Sequence, residues 1–203
     1  MGGLGAAGRR LERGFALAVL KLELAGLPSP CRILAIGCHP DDIEIGCGGT
    51  ILRLVDALAD VEVMWVVLTG TGPRAQEVHS SAEAFLDGVE RREVLTGGFR
   101  DGFLPYTGHD VKQFFEDLKP RIDPDLIFTH YRHDLHQDHR LACDLTWNTF
   151  RHHLILEYEI PKYDGDLASP NVFVQLTEDV ARAKVAKLLE HFETQLDRHW
   201  FTE

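Results

Sequence analysis

The sequence predicts an α/β protein in which a mostly parallel β-sheet carries helices on both faces, a three-layer sandwich. Two observations lead there. Short, uninterrupted apolar runs of the kind that form strands buried on both faces recur along the chain, and segments with apolar residues at helical spacing lie between them. In such sheets ligands sit beyond the carboxyl ends of the strands, so any chemistry is expected in the residues that follow each run.

Residues 1–30 read as an N-terminal helical appendage: a Gly-rich start, the apolar stretch Phe15–Leu27 (FALAVLKLELAGL), and the stop signal Pro28-Ser29-Pro30. The stretch follows several arginines, as a signal peptide would, but Lys21 and Glu23 interrupt it, which favours an amphipathic helix. Residues 31–203 read as one domain. Its first strand is Arg32–Gly37 (RILAIG), followed by a helix over Gly49–Leu58 with Ile51, Leu52, Val55 and Leu58 at helical spacing. A second strand over Val61–Leu68 (VEVMWVVL) leads to a helix over Arg74–Leu86, and a third helix over Val111–Leu118 is closed by Pro120. Strands over Leu126–Thr129 (LIFT) and Leu154–Tyr158 (LILEY) come next. The loop Lys162–Pro170 (KYDGDLASP) then leads to a predicted strand over Asn171–Leu176 (NVFVQL) and a final helix over about Thr177–Phe192. The abrupt end at HWFTE leaves a further C-terminal piece to be expected.

With 203 residues, 44% of them hydrophobic and 26% charged, the chain has ordinary globular composition and enough length for one sizeable core. Its net charge of -11 and lack of any basic block argue against a nucleic-acid surface. Cys31, Cys38, Cys47 and Cys143 form no CxxC pair, so they read as core thiols in a reducing compartment. No run reaches the roughly 18 apolar residues that a spanning helix needs, and a soluble cytoplasmic protein with no membrane partner is the expectation.

Directly after the first strand the chain reads Cys38-His39-Pro40-Asp41-Asp42-Ile43-Glu44-Ile45-Gly46-Cys47-Gly48-Gly49. Neutral imidazole with carboxylate is a ligand set suited to zinc. Two adjacent aspartates in a tight turn can point to different sides, one toward a metal and one toward the water it activates. The competing reading is a helix start dressed with acids, which the helix dipole favours without any function.

The strand over 126–129 is followed by His130-Tyr131-Arg132-His133-Asp134-Leu135-His136-Gln137-Asp138-His139. If a helix begins near Asp138, His136 and His139 turn toward one point, with Asp138 available to orient an imidazole nitrogen. His133 reads as a solvated loop residue, and for His130 both readings stand. Two histidines and one carboxylate also describe non-haem iron sites, so zinc and iron stay open at this stage. The extra Asp41 favours hydrolysis, because a metal-activated water needs a general base.

Together HPDD, the Gly-rich turn behind it, and the later DLHQDH closely resemble the PIG-L or LmbE-like family of zinc-dependent N-deacetylases, from about Cys31 to Gln195. The resemblance implies a Rossmann-like sheet, with His39, Asp42 and His139 binding Zn2+ and Asp41 removing a proton from the water. It further implies that His136 stabilises the oxyanion, that Asp138 tunes the histidines, and that Arg74 and Asp101 hydrogen-bond sugar hydroxyls. The implied substrate is an N-acetylated amino sugar or glycoside of the N-acetylglucosamine type. Homo-oligomerisation is an expectation of the resemblance alone. Glu44 reads as supporting or structural, and Glu157, Tyr158 and Glu159 as lining the same crevice or as ordinary strand alternation.

Two other classes compete. A dinucleotide-binding module would account for the alternating strands and Gly46-Cys47-Gly48-Gly49, but GxGxxG spacing is missing and acids crowd the place where a pyrophosphate would sit. A catalytically silent scaffold sits poorly with intact Asp41 and His139.

Overall fold

The structure, a computed structural model, describes residues 26–162, 164–198 and 201. The predicted helix over 15–27 lies outside the described residues except for its last two positions.

Five strands, β1 (Cys31–Gly37), β2 (Val61–Thr69), β3 (Arg91–Phe99), β4 (Leu126–His130) and β5 (Ile155–Tyr158), form one sheet in the order β3-β2-β1-β4-β5. Every neighbouring pair is parallel. The helices are α1 (Asp42–Gly46), α2 (Gly48–Ala57), α3 (Pro73–Phe85), α4 (Gly108–Leu118), α5 (Gln137–Thr149) and α6 (Glu178–His191).

Alternation along each strand sends successive side chains to opposite faces, and both faces are covered. Ile33 and Ala35 of β1 join Trp65 of β2, Ile51 and Leu54 of α2, and Val78 and Phe85 of α3 in one buried cluster. Leu34 and Ile36 join Val66 of β2, Val111 and Phe115 of α4, and Ala142 of α5 in the other. Fully burying an aliphatic or aromatic side chain contributes about 1.5–3 kcal/mol, and β1 and β2 bury theirs on both sides. These central strands therefore make a stiff frame. The sandwich read from the apolar runs is the one observed. Helix α6 has no buried residue of its own and lies outside α2 and α3.

Besides the short helix α1, which the sequence reading did not expect, three elements differ from it. Strand β3 was not expected, because an edge strand that reads RREVLTGGF is largely exposed and carries charges and two glycines where an apolar run would be sought. Residues 171–176 form no strand; only Phe173 makes an isolated bridge, and Val172 and Phe173 stay exposed. Helix α4 starts three residues early, at Gly108.

From β1 the chain builds outward to β2 and β3, then returns to place β4 on the other side of β1. The order therefore reverses between β1 and β4, and a crevice opens beyond their carboxyl ends. The two residue segments singled out above both leave the sheet there.

Candidate metal centre

At the end of β1 the chain makes a turn that only an unusual backbone allows. Asp41 has φ 99°, the one non-glycine residue with positive φ among the described residues. Such a conformation costs about 1–3 kcal/mol, and aspartate tolerates it better than most. Its consequence is that two consecutive carboxylates separate. Asp42 folds back over its own turn, where its Oδ2 accepts the backbone N–H of Cys38 at 3.0 Å and of His39 at 2.7 Å. Asp41 occupies the N-cap of α1, yet its side chain caps nothing, and its Oδ2 lies 3.6 Å from Nη2 of Arg74. The reading of these acids as helix-start decoration fails on that point, since an aspartate there would ordinarily bond the first free N–H groups.

At the end of β4, His136 stands at the N-cap of α5 and His139 lies in its first turn. The backbone N–H of Asp138 donates to Nδ1 of His136 at 3.3 Å. A neutral His136 therefore carries its proton on Nε2. His139 Nδ1 donates to Oδ2 of Asp134 at 2.9 Å, leaving a lone pair on Nε2. The other oxygen of Asp134 accepts from the His136 backbone at 2.7 Å and from Lys162 Nζ at 3.0 Å. Lys162 in turn pairs with Asp166 at 2.7 Å.

The two turns meet. His39 Nδ1 lies 3.1 Å from His139 Nε2 and 3.4 Å from Asp42 Oδ2, and His139 Nε2 lies 3.4 Å from the same oxygen. A tetrahedral zinc with ligands at about 2.0–2.1 Å spaces them about 3.3 Å apart, so this triangle has the dimensions of three zinc ligands. The outer nitrogen of His39 is occupied by Asp101 Oδ1 at 3.0 Å and Asp138 Oδ2 at 3.3 Å, which keeps the Nδ1 lone pair turned inward. Asp138 is itself fixed by the backbone N–H groups of Gly102 at 2.7 Å and Leu104 at 3.2 Å. The donor set thus fits a divalent metal in both spacing and tautomer. Ring nitrogens of His39, His136 and His139 also come within 4.8 Å of one another.

Burial and charge set the protonation of these groups. Desolvation lowers the pKa of His39, but the charge of Asp42 and the bonds to Asp101 and Asp138 outweigh it and leave it well above the ordinary value. The same competition, with Asp42 and Asp134 as the opposing acids, raises His139. Asp42 is held well below the usual range despite its own desolvation, because His139, His130 and His39 surround it. Asp41 goes the other way, raised well above the usual range by burial and then by the neighbouring Asp42. His136 is lowered by burial and by the charges of His39 and His139, so it is neutral near pH 7. His130, wholly buried, is pushed down to about 4, chiefly by desolvation.

A cavity of about 470 Å³ opens beside this cluster, with Pro40, Arg74, Phe99, Arg100 and Asp101 in its wall. Arg74 donates to the Pro40 carbonyl at 2.7 Å and pairs with Glu77 at 3.2 Å. Asp101 is largely exposed at the mouth. The glycine turn beside it is packed, not open: a Cβ on Gly46 would fall 2.1 Å from the Tyr158 ring, and one on Gly48 2.6 Å from Phe85. These glycines admit side chains rather than a pyrophosphate, which removes the dinucleotide reading.

All eight residues expected from the sequence come to one end of the sheet. His39, Asp42 and His139 converge; Asp41, His136 and Asp138 surround them; Arg74 and Asp101 face the cavity. Asp138 reaches His39 with its carboxylate and His136 only through its backbone. Glu44 is buried and accepts Ser81 Oγ at 2.6 Å, with burial raising its pKa to about 7. His133 is exposed and lies outside the cluster. Sequence reasoning missed Asp134 and Lys162. Asp134 carries a local signal, an acid two residues before His136, whereas Lys162 arrives from a distant loop and carries none. Tyr158 is buried in the core against Gly46, with its hydroxyl donating to the Ile36 carbonyl at 2.6 Å, while Glu157 turns to Arg132 and Trp147. The four cysteines are buried and free, and no helix among the described residues is long and apolar enough to cross a membrane.

Residues 34–150 match the PIG-L family, described as GlcNAc-PI de-N-acetylase. Among individual proteins, the uncharacterized deacetylase YaiS of Escherichia coli is 30% identical over 168 residues, 78% of this chain and 89% of that protein. The structure of the conserved protein TT1542 from Thermus thermophilus superposes with a TM-score of 0.66 at 23% identity, covering 84% of this chain and 83% of that one. The N,N'-diacetylchitobiose deacetylase of Pyrococcus horikoshii, solved with its inhibitor MPG, gives a TM-score of 0.58 at 25% identity, covering 83% and 72%.

Proposed function

Because the chain belongs to the PIG-L family of de-N-acetylases, we propose that it is a zinc-dependent hydrolase that removes the N-acetyl group from an N-acetylglucosamine-type amino sugar or glycoside. The observation that carries this reading is the triangle of His39 Nδ1, Asp42 Oδ2 and His139 Nε2, with sides of 3.1 and 3.4 Å. Zinc held there would polarise the acetyl carbonyl and bring the pKa of a water toward about 7.

The remaining steps belong to the chain's own residues. Asp41, buried and free of any capping duty, accepts the proton of the attacking water; its raised pKa makes it a stronger base than an exposed carboxylate. His136 is neutral with its proton on Nε2 and donates to the carbonyl oxygen as negative charge gathers there. The proton taken by Asp41 passes to the leaving nitrogen, so that amide and water become acetate and amine. Asp138 touches neither water nor carbonyl in this scheme and acts by fixing His39. Arg74 and Asp101 offer a donor and an acceptor to sugar hydroxyls from the cavity wall, and diacetylchitobiose, the substrate in the name of the Pyrococcus protein, sets the kind of sugar to try first.

Metal content by mass spectrometry, with amine release from a panel of N-acetylated sugars and glycosides, tests the reading. Stoichiometric zinc and zinc-dependent release that Asp41→Ala abolishes are expected; iron in place of zinc, or full activity in Asp41→Ala, overturns it.

A further inference from the structure

Behind the metal-ligand triangle sits a histidine with no part in the chemistry above. His130, the last residue of β4, is wholly buried. Its Nε2 lies 3.2 Å from Asp42 Oδ2, 3.0 Å from the Cys38 backbone nitrogen and 3.3 Å from the Tyr158 hydroxyl. Its ring stacks on that of His139 at 3.9 Å between centroids, within 12° of parallel. Its Nδ1 is buried with no hydrogen-bond partner.

The proton on this ring can be placed from the donor that faces it. The Cys38 backbone N–H points at Nε2 from 3.0 Å and is shared with Asp42 Oδ2, also at 3.0 Å. Tyr158 spends its one proton on the Ile36 carbonyl at 2.6 Å. Nε2 therefore carries the lone pair, and the orphan on Nδ1 is the N–H. A phenylalanine would fill the same space with no orphaned nitrogen, and buried unpaired polar atoms are costly enough to need a reason. The one thing histidine offers here that phenylalanine does not is an acceptor for the Cys38 N–H.

We infer that His130 is a positioning residue for the metal centre: its Nε2 lone pair anchors the Cys38 N–H at the base of the turn that carries His39 and Asp42, while its ring face holds the His139 imidazole, so that the ligands are set before metal arrives. This rests on the reading of Asp42 and His139 as ligands. Residues that orient metal ligands in this way change affinity about 10- to 100-fold when removed.

The experiment compares zinc dissociation constants, by competition with a chelator, and apo-protein melting temperatures for wild type, His130→Phe and His130→Gln. In His130→Phe the apo protein is expected to melt at or above the wild-type temperature while zinc binding weakens about 10- to 100-fold. His130→Gln, which can present its amide oxygen at the Nε2 position, is expected to recover most of the affinity. Unchanged zinc affinity in His130→Phe overturns the inference, as does weak binding matched by an equal loss in His130→Gln. Should His130→Phe fail to fold, His130→Asn replaces it, since its amide reaches the Nδ1 position and not Nε2; wild-type affinity in that variant overturns the inference. A wild-type protein that binds no zinc, or His139→Ala that still binds it tightly, overturns the ligand reading instead.

Discussion

Strands β1 and β4 are neighbours along one ladder, yet their two ends are built on opposite terms. At the amino end, Arg32 pairs with both Asp123 and Asp125, and all three side chains stay at least partly exposed. The Arg32 backbone N–H donates to Asp125 Oδ2 at 2.9 Å, its guanidinium reaches both oxygens of Asp125 at 3.3 Å, and the Asp125 N–H returns to the Arg32 carbonyl at 2.8 Å. Asp123 adds contacts to Arg32 at 3.4 Å and to His153 at 3.1 Å. At the carboxyl end, four aspartates (Asp41, Asp42, Asp134 and Asp138) and two histidines (His130 and His139) are buried together, Asp41 sits in left-handed backbone, and His130 has an orphaned nitrogen. One end stabilises the sheet; the other draws on that stability to hold groups that would separate if they were free. Strain and unpaired polarity at only one end of the same two strands mark where function was selected over stability.

The sharpest way to break that contrast is Asp41→Gly. Glycine adopts φ near 99° without strain, and the change also removes a desolvated carboxylate beside Asp42. Deacetylation is expected to fall about 100- to 10,000-fold through loss of the proposed general base. The apo protein is expected to become more stable by on the order of 1 kcal/mol, the strain released less the added chain entropy of glycine. Calorimetry of zinc-free protein beside an amine-release assay measures both, and a lower melting temperature would mean that Asp41 is not strained at all.

His136→Phe probes the same end more narrowly. It keeps a ring at the N-cap of α5 but removes the Nε2 donor, so kcat is expected to drop about 100-fold with zinc stoichiometry unchanged. A loss of zinc in that variant would move His136 from its proposed place as oxyanion donor to that of a metal ligand, an arrangement that its approach to His39 and His139 makes worth excluding.

The contrast between the two ends also explains what could be read from the sequence. Strands β1, β2, β4 and β5 announce themselves as apolar runs, because the central ones are covered on both faces and have no solvent side to encode. Strand β3 has one, and its Arg91, Arg92 and Glu93 conceal it. Val172 and Phe173 misled in the opposite sense, looking like a strand while lying exposed in a loop. The site was legible where its residues are close in sequence, as in His39 with Asp42 and His136 with His139. Three- or four-residue spacing at the end of a strand already restricts which way side chains can turn. Lys162 and the role of His130 were not legible, since each depends on which loop or strand the fold sets alongside, and no local spacing carries that. The left-handed backbone of Asp41 was hidden too, because aspartate is unremarkable in any turn.

The smallest expected effect lies at the amino end. Asp125→Asn keeps the size of the side chain and one acceptor oxygen but removes the charge facing Arg32, whose guanidinium it raises above its ordinary pKa through a hydrogen bond. The melting temperature is expected to fall by about 2–4 °C, with zinc content and kcat unchanged. Because the pair is part-exposed, with 35% of the Arg32 and 16% of the Asp125 side chain accessible, salt screens it. The difference from wild type should therefore shrink in 1 M salt, where the Debye length is about 3 Å. Thermal melts at low and high salt, run beside the amine-release assay, decide the matter. A several-fold loss of kcat in Asp125→Asn would show that the amino end helps to set the ligand triangle through the shared ladder of β1 and β4; unchanged kcat with a salt-sensitive melting temperature leaves the two ends independent, a foundation and the site built on it.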